Sequence, residues 1–164
     1  MSPDQRELIE RILEGAMDLV VATVRPDGWP HATTASFVSD GLDIYFGVAP
    51  TSQKAANIAH EPRVSCAISA PYRTWTEIRG LSFAARAAFV KDTAELMTVG
   101  NLMAAKFGDD LARRTSATIA RTCIVRLRPE KMSLIDYSQG YGYAAVIALT
   151  AADFPAPQRH AGLN

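Results

Sequence analysis

Between residues 19 and 48 three strand-length apolar runs follow one another at 19–24, 30–38 and 42–48, and both connectors between them contain an Asp-Gly pair. The first connector is Arg25-Pro26-Asp27-Gly28 and the second Ser39-Asp40-Gly41. Asp-Gly supplies the positive backbone angles that let a tight turn match the twist of two paired strands. The spacing therefore predicts three antiparallel strands in a meander.

Helices flank this meander. Ser2, Pro3 and Gln5 combine a capping hydroxyl, a proline in the first turn and a capping-box amide, and Leu8, Ile9, Ile12, Leu13 and Ala16 share one face. They predict an amphipathic helix over 3–15. A second helix is expected over 51–60, capped by Thr51 or Ser52 and stopped by Pro62. A strand at 64–69 and a long strand at about 75–90 follow, with Gly80 read as a bulge or bend because Ile78 lies on the wrong parity. Asp92 and Glu95 open a helix whose apolar spacing runs to Phe107 and stops at Gly108, with a weaker continuation over 109–119. Cys123, Val125 and Leu127 predict a sixth strand closed by Pro129, and residues 132–137 a possible seventh. The pattern is that of one α+β domain over residues 1–153 built round a small antiparallel barrel, with residues 154–164 as a mobile tail.

Composition excludes several function classes. Seventeen basic and seventeen acidic residues give a formal net charge of +0, so no overall field draws nucleic acid or an anionic membrane. The longest apolar runs are far shorter than the ~20 residues of a membrane span. Two cysteines support neither a disulfide framework nor a metal-binding pair, and His31, His60 and His160 have no mutual metal spacing. Four acidic residues among the first fifteen do not resemble a secretory signal, so the expectation is a cytoplasmic protein without membrane or nucleic-acid partners.

Two stretches carry chemistry. Thr51-Ser52-Gln53-Lys54 opens the second helix, where the lysine opposes the helix dipole and no acid compensates. A bound anion would remove the conflict, and hydroxyls, an amide, an ammonium and free backbone N–H groups meet there, which is the chemistry of a phosphate site. A solvated lysine beside an ordinary cap is the other reading. Residues 30–36, Pro-His-Ala-Thr-Thr-Ala-Ser, place hydrogen-bonding groups on both strand faces, which suits a planar polar ligand or equally an edge strand with a hydrated face. No nucleophile motif appears, and Gly140-Tyr141-Gly142 lacks the strand-to-helix context of a dinucleotide fingerprint.

The segments VVATVRPDGWPHATTASFVSDGLDIYFG, TSQKAANIAHEPRVSCAI and EIRGLSFAARAAFV, in that order, resemble the pyridoxamine 5′-phosphate oxidase-like, FMN-binding split-barrel superfamily over roughly residues 5–137. The segment from Ser133 to Gly142 is also similar to one found in a branch of that superfamily. The resemblance implies a mainly β, six- to seven-stranded antiparallel split barrel with flanking helices, and a homodimer with FMN at the interface. It implies that Pro30, His31, Ala32, Thr33, Thr34, Ala35 and Ser36 run along the isoalloxazine and ribityl chain. Tyr45 and Phe46 would flank the ribityl-phosphate side, Ser52, Gln53 and Lys54 would hold the phosphate, and Trp75 would reach the flavin of the other subunit, with Tyr72 a weaker candidate.

Where relatives with the vitamin enzyme's activity pair Arg with Lys at the helix start, Gln53 precedes Lys54 here, and no basic and aromatic C-terminal substrate grip is visible. Both departures argue against that particular activity. The implied function is an FMN-dependent oxidoreductase acting with a small-molecule substrate or electron donor. The alternatives are a non-catalytic haem- or flavin-binding storage protein, with His31 or His60 as haem candidates, and a reductase using the deazaflavin F420.

Overall fold

The computed structural model describes residues 1–112 and 121–154. Helix α1 (Pro3–Gly15) leads into strands β1 (Asp18–Val24), β2 (Pro30–Asp40) and β3 (Asp43–Val48); helix α2 (Gln53–His60), strands β4 (Arg63–Ser69) and β5 (Arg79–Phe89), helix α3 (Thr93–Ala112) and strands β6 (Cys123–Asp136) and β7 (Ala144–Ile147) follow. All strand pairings are antiparallel, in the order β3-β2-β1-β4-β5-β6-β7, and a further β3–β6 pairing closes six strands into a barrel with β7 added outside β6. The mainly β barrel with flanking helices is thus as expected, and the two Asp-Gly connectors form the β1–β2 and β2–β3 turns with Gly28 and Gly41 at positive φ.

Strand alternation sends one face of every strand into the barrel. Leu19, Val21, Phe37, Ile44, Phe46, Val64, Ile68, Leu81, Phe83, Val125 and Leu127 fill it. Each such side chain contributes about 1.5–3 kcal/mol on leaving water. Ile9, Ile12 and Leu13 of α1 join this core, and the Ser2–Gln5 capping box predicted from sequence is formed in full. α3 lies on the other side of the wall, where Val99 packs with Val38 and Tyr45 in a smaller cluster.

Four expectations need correction. The strand expected from about residue 75 starts at Arg79; Trp75–Glu77 is a 3-10 turn in which the Glu77 carboxylate accepts from the backbone N–H groups of Arg73 and Thr74, so Ile78 never belonged to the strand alternation. Gly80 is no bulge: its pairing with Ser69 and Ile135 is regular, and the register shift lies between Ala84 and Ala85, opposite Lys131 and Pro129. Pro129 does not end a strand but sits at that shift, where a residue without an N–H is tolerated, so the separate strands expected before and after it are the single strand β6. The seventh strand is β7 instead. Of the two expected caps of the second helix, Ser52 is the one that caps. Gly108 departs from helical angles with φ 47°, and α3 resumes as far as Ala112; the rest of the weak continuation, the expected tail after Phe154 and His160 lie outside the described residues. No described helix is long and apolar enough to cross a membrane.

Candidate anion and cofactor site

β2 begins as one wall of the site. From Pro30 to Ser36 it pairs with β1 only, because β3 reaches β2 no further than Phe37. The backbone edge of this segment is therefore left without a strand partner, and it can serve a ligand. His31, Thr33 and Ala35 are half-buried on the barrel side, while Ala32, Thr34 and Ser36 are exposed on the outer face beside Ala22, Val20 and Asp18.

The loop after β3 delivers α2 beside that edge. Ser52 Oγ accepts from the N–H of Ala55 at 3.2 Å, which satisfies one of the first-turn donors and leaves those before it without an intrahelical partner. His31, Thr33, Gly47, Val48, Ala49, Ser52, Gln53 and Lys54 together line a cavity of about 380 Å³. That volume is at the small end of the usual range for ligand pockets.

The electrostatics of the cavity are unbalanced. Lys54 Nζ lies 3.5 Å from the Thr34 carbonyl oxygen and 5.2 Å from the centre of the Phe46 ring. Among the described residues it has no carboxylate within ion-pair distance, and the first turn of α2 carries no acid. Burial holds its pKa below the ordinary lysine range, which means the ammonium is poorly solvated. Two further polar atoms, His31 Nδ1 and Thr33 Oγ1, are buried with no hydrogen-bond partner among the described residues. Buried polar groups are almost always satisfied, so this unpartnered pair, lining the same cavity as the uncompensated cation, is the arrangement that a bound polar anion would satisfy.

The sequence-predicted residues divide between four places. His31 and Thr33 come together with Ser52, Gln53 and Lys54 around the cavity; Pro30, Ala32, Thr34, Ala35 and Ser36 belong to the same strand but do not line it. Phe46 is in the barrel core beneath the Lys54 ammonium. Tyr45 is on the opposite face of β3, where its hydroxyl donates to Glu95 Oε1 at 3.1 Å and Arg126 meets the same carboxylate at 2.9 Å; it does not line the cavity. Burial and the nearby Asp43 and Glu95 carboxylates hold the Tyr45 hydroxyl far above the usual phenol range, so it stays neutral.

Trp75 is 69% exposed and stands with Tyr141 and Tyr137 at ring-centre distances of 6.1 Å and 5.6 Å between neighbours. This cluster is next to the start of β5 and the end of β6, the opposite pole from the cavity, so Trp75 touches the cavity of its own chain nowhere. Tyr72 is exposed in the same region. His60 is exposed in the last turn of α2, and no described group of His, Cys, Asp or Glu could hold a metal ion.

Gly47, Val48 and Ala49 line the cavity without having been singled out by sequence. A glycine near the end of a strand, shortly before a helix start, was the available signal for the first: a Cβ there would sit 2.8 Å from the Thr122 methyl. Thr23 and Asn57 were also missed. Both are buried, and Asn57 is a polar residue among the apolar positions of α2, which was the signal it carried.

Comparison with known proteins follows the same lines. Residues 6–136 match the family described as pyridoxamine 5′-phosphate oxidase. No curated protein matches. Among solved structures, a conserved hypothetical protein from Mycobacterium tuberculosis is 25% identical with a TM-score of 0.72, the match covering 92% of this chain and 95% of that one. A heme binding protein from Mycobacterium smegmatis is 20% identical with a TM-score of 0.72, a likeness of fold; it covers 90% of this chain, which spans only 59% of that protein. An F420 reductase is 28% identical with a TM-score of 0.60, covering 76% of this chain and 94% of the other.

Proposed function

The chain belongs to the pyridoxamine 5′-phosphate oxidase family, and on that premise we propose that it is an FMN-binding oxidoreductase that works as a homodimer on a small-molecule substrate. The observation that carries this reading is the Lys54 ammonium, half-buried at the start of α2 without a counter-ion among the described residues. A phosphate monoester supplies the missing charge and the acceptors that Ser52 and the first-turn N–H groups require. Lys54, Ser52 and the backbone of Gln53 would hold that phosphate. The unpartnered His31 Nδ1 and Thr33 Oγ1, with the open backbone edge of residues 30–36, would hold the polyol chain and ring edge. When bound, FMN supplies hydride acceptance and donation; the chain itself contributes binding, orientation and a fixed electrostatic setting.

Purified protein should show a flavin absorbance spectrum, and acid should release a compound of FMN mass. Lys54→Ala should weaken FMN binding by about tenfold or more, the loss usual for a charge-assisted hydrogen bond. Undiminished affinity in that variant would remove the phosphate assignment. A second reading keeps the same cavity but places haem or a deazaflavin in it. The unpartnered ring nitrogen of His31 favours a haem ligand there, and the likeness to the F420 reductase favours the deazaflavin. The absorbance spectrum separates all three.

A further inference from the structure

Behind the cavity a hydrogen-bond chain runs through the barrel wall. Gln53 Nε2 donates to Asn57 Oδ1 at 2.7 Å, Asn57 Nδ2 donates to Thr23 Oγ1 at 2.9 Å, and Thr23 Oγ1 donates to the His31 carbonyl at 3.1 Å. Thr23 is 1% exposed and Asn57 0%, and neither lines the cavity. The direction of the chain is determined by its end. A backbone carbonyl can only accept, so the Thr23 hydroxyl must spend its single proton on His31. Its oxygen is then an acceptor, the Asn57 amide must turn its NH₂ towards it, and the Asn57 carbonyl is left facing Gln53. Gln53 is thereby obliged to present its own NH₂ inwards.

We propose that Thr23 and Asn57 are positioning residues of the anion site: by holding the Gln53 side chain inwards they tie the first turn of α2, whose backbone N–H groups would hold the phosphate, to β2 at His31, without touching the ligand. This rests on the FMN reading. One link is local, Gln53 and Asn57 being one helical turn apart, but the other two join α2 to β1 and β1 to β2, the two walls between which the cavity lies. Because every member has one available role, loss of the hydroxyl leaves the Asn57 donor and the geometry of Gln53 unsupported together.

The test compares FMN with riboflavin, which lacks the phosphate. Thr23→Val keeps the shape of the side chain and removes the hydroxyl. It should weaken FMN binding by about tenfold and riboflavin binding by less than about twofold, while Thr23→Ser should restore FMN binding to near the wild-type value. Gln53→Met should weaken FMN binding too, and the double variant should lose no more than the worse single one, since members of one chain are not additive. Equal losses for both flavins, no loss, or additive losses would overturn the proposal while leaving the FMN site standing. Wild-type protein that binds neither FMN nor inorganic phosphate would overturn both. On the unaltered protein, FMN should shift the side-chain amide NMR signals of Asn57; unmoved signals would count against the relay even if the Thr23 variant does not fold.

Discussion

Cys66 shows how strongly the barrel interior acts on a single side chain. It is 3% exposed on β4, and burial pushes its thiol up to about 12, against which the nearby Lys54 charge acts only as a smaller opposing influence. The thiolate, not the thiol, is the nucleophile. At pH 8 Cys66 should therefore resist iodoacetamide in the folded protein and react readily in denaturant, as intact-protein and peptide mass analysis would read; rapid native labelling at Cys66 would contradict this burial. The same scale explains why Lys54 stands out. Asp43 is paired with Arg128 and Glu95 with Arg126, whereas Lys54 and Lys106 each have, among the described residues, only a carbonyl and an aromatic face; Lys54 differs from Lys106 in standing at a helix start and lining the cavity. Sequence was sufficient to flag the lysine, because the conflict with the helix dipole is local. It could not show that the Thr33 hydroxyl and a ring nitrogen of His31 would be buried beside it without partners, since burial depends on what the rest of the chain brings near.

At the scale of elements, the turns and caps were the most legible features. Asp-Gly turns and the Ser2–Gln5 box depend on contacts within four residues, so their signals are complete in the local sequence. Gly80 is the instructive exception. Sequence marked it as unusual, but the reason is close approach: a Cβ at that position would meet the Ile68 carbonyl oxygen at 2.6 Å. Gly80→Ala must push β4 and β5 apart where Ser69 faces Gly80. The expected loss is about 1–3 kcal/mol, the usual cost of forcing extra atoms into a packed region, measured as a lower denaturation midpoint with an unchanged slope. The join across Pro129 was illegible for a related reason, because whether a proline ends a strand or sits at a register shift is decided by the partner strand.

For the whole molecule, the outer face of the barrel bears on the proposed homodimer. Val20 pairs with Thr34 on one side and Ala67 on the other, Ala67 with Ser82, and Ser82 with Ser133, so a row of uncharged side chains crosses five strands. Val20 remains 42% exposed there, and Val146 on β7 85%. A second copy covering this face with its strands reversed would bring the Trp75–Tyr141 pole of one protomer towards the cavity pole of the other. Ala67→Arg, a charge in the middle of the row, should convert a dimer to a monomer in light scattering and lower the FMN content as isolated. A dimer that survives the change would exclude this face as the contact.

The sequence alone determined the antiparallel meander, the capped helices and the uncompensated lysine at the start of α2, all of which rest on backbone angles and charges of near neighbours. Only the tertiary structure decided the closure of β3 on β6, the open backbone edge of residues 30–36, the placement of Tyr45 away from the cavity and the Gln53–Asn57–Thr23–His31 chain. The physical reason is reach: a turn or a cap is satisfied within one or two turns of chain, whereas a barrel seam and a buried hydrogen-bond chain take partners from strands and helices that meet only when the whole wall has closed.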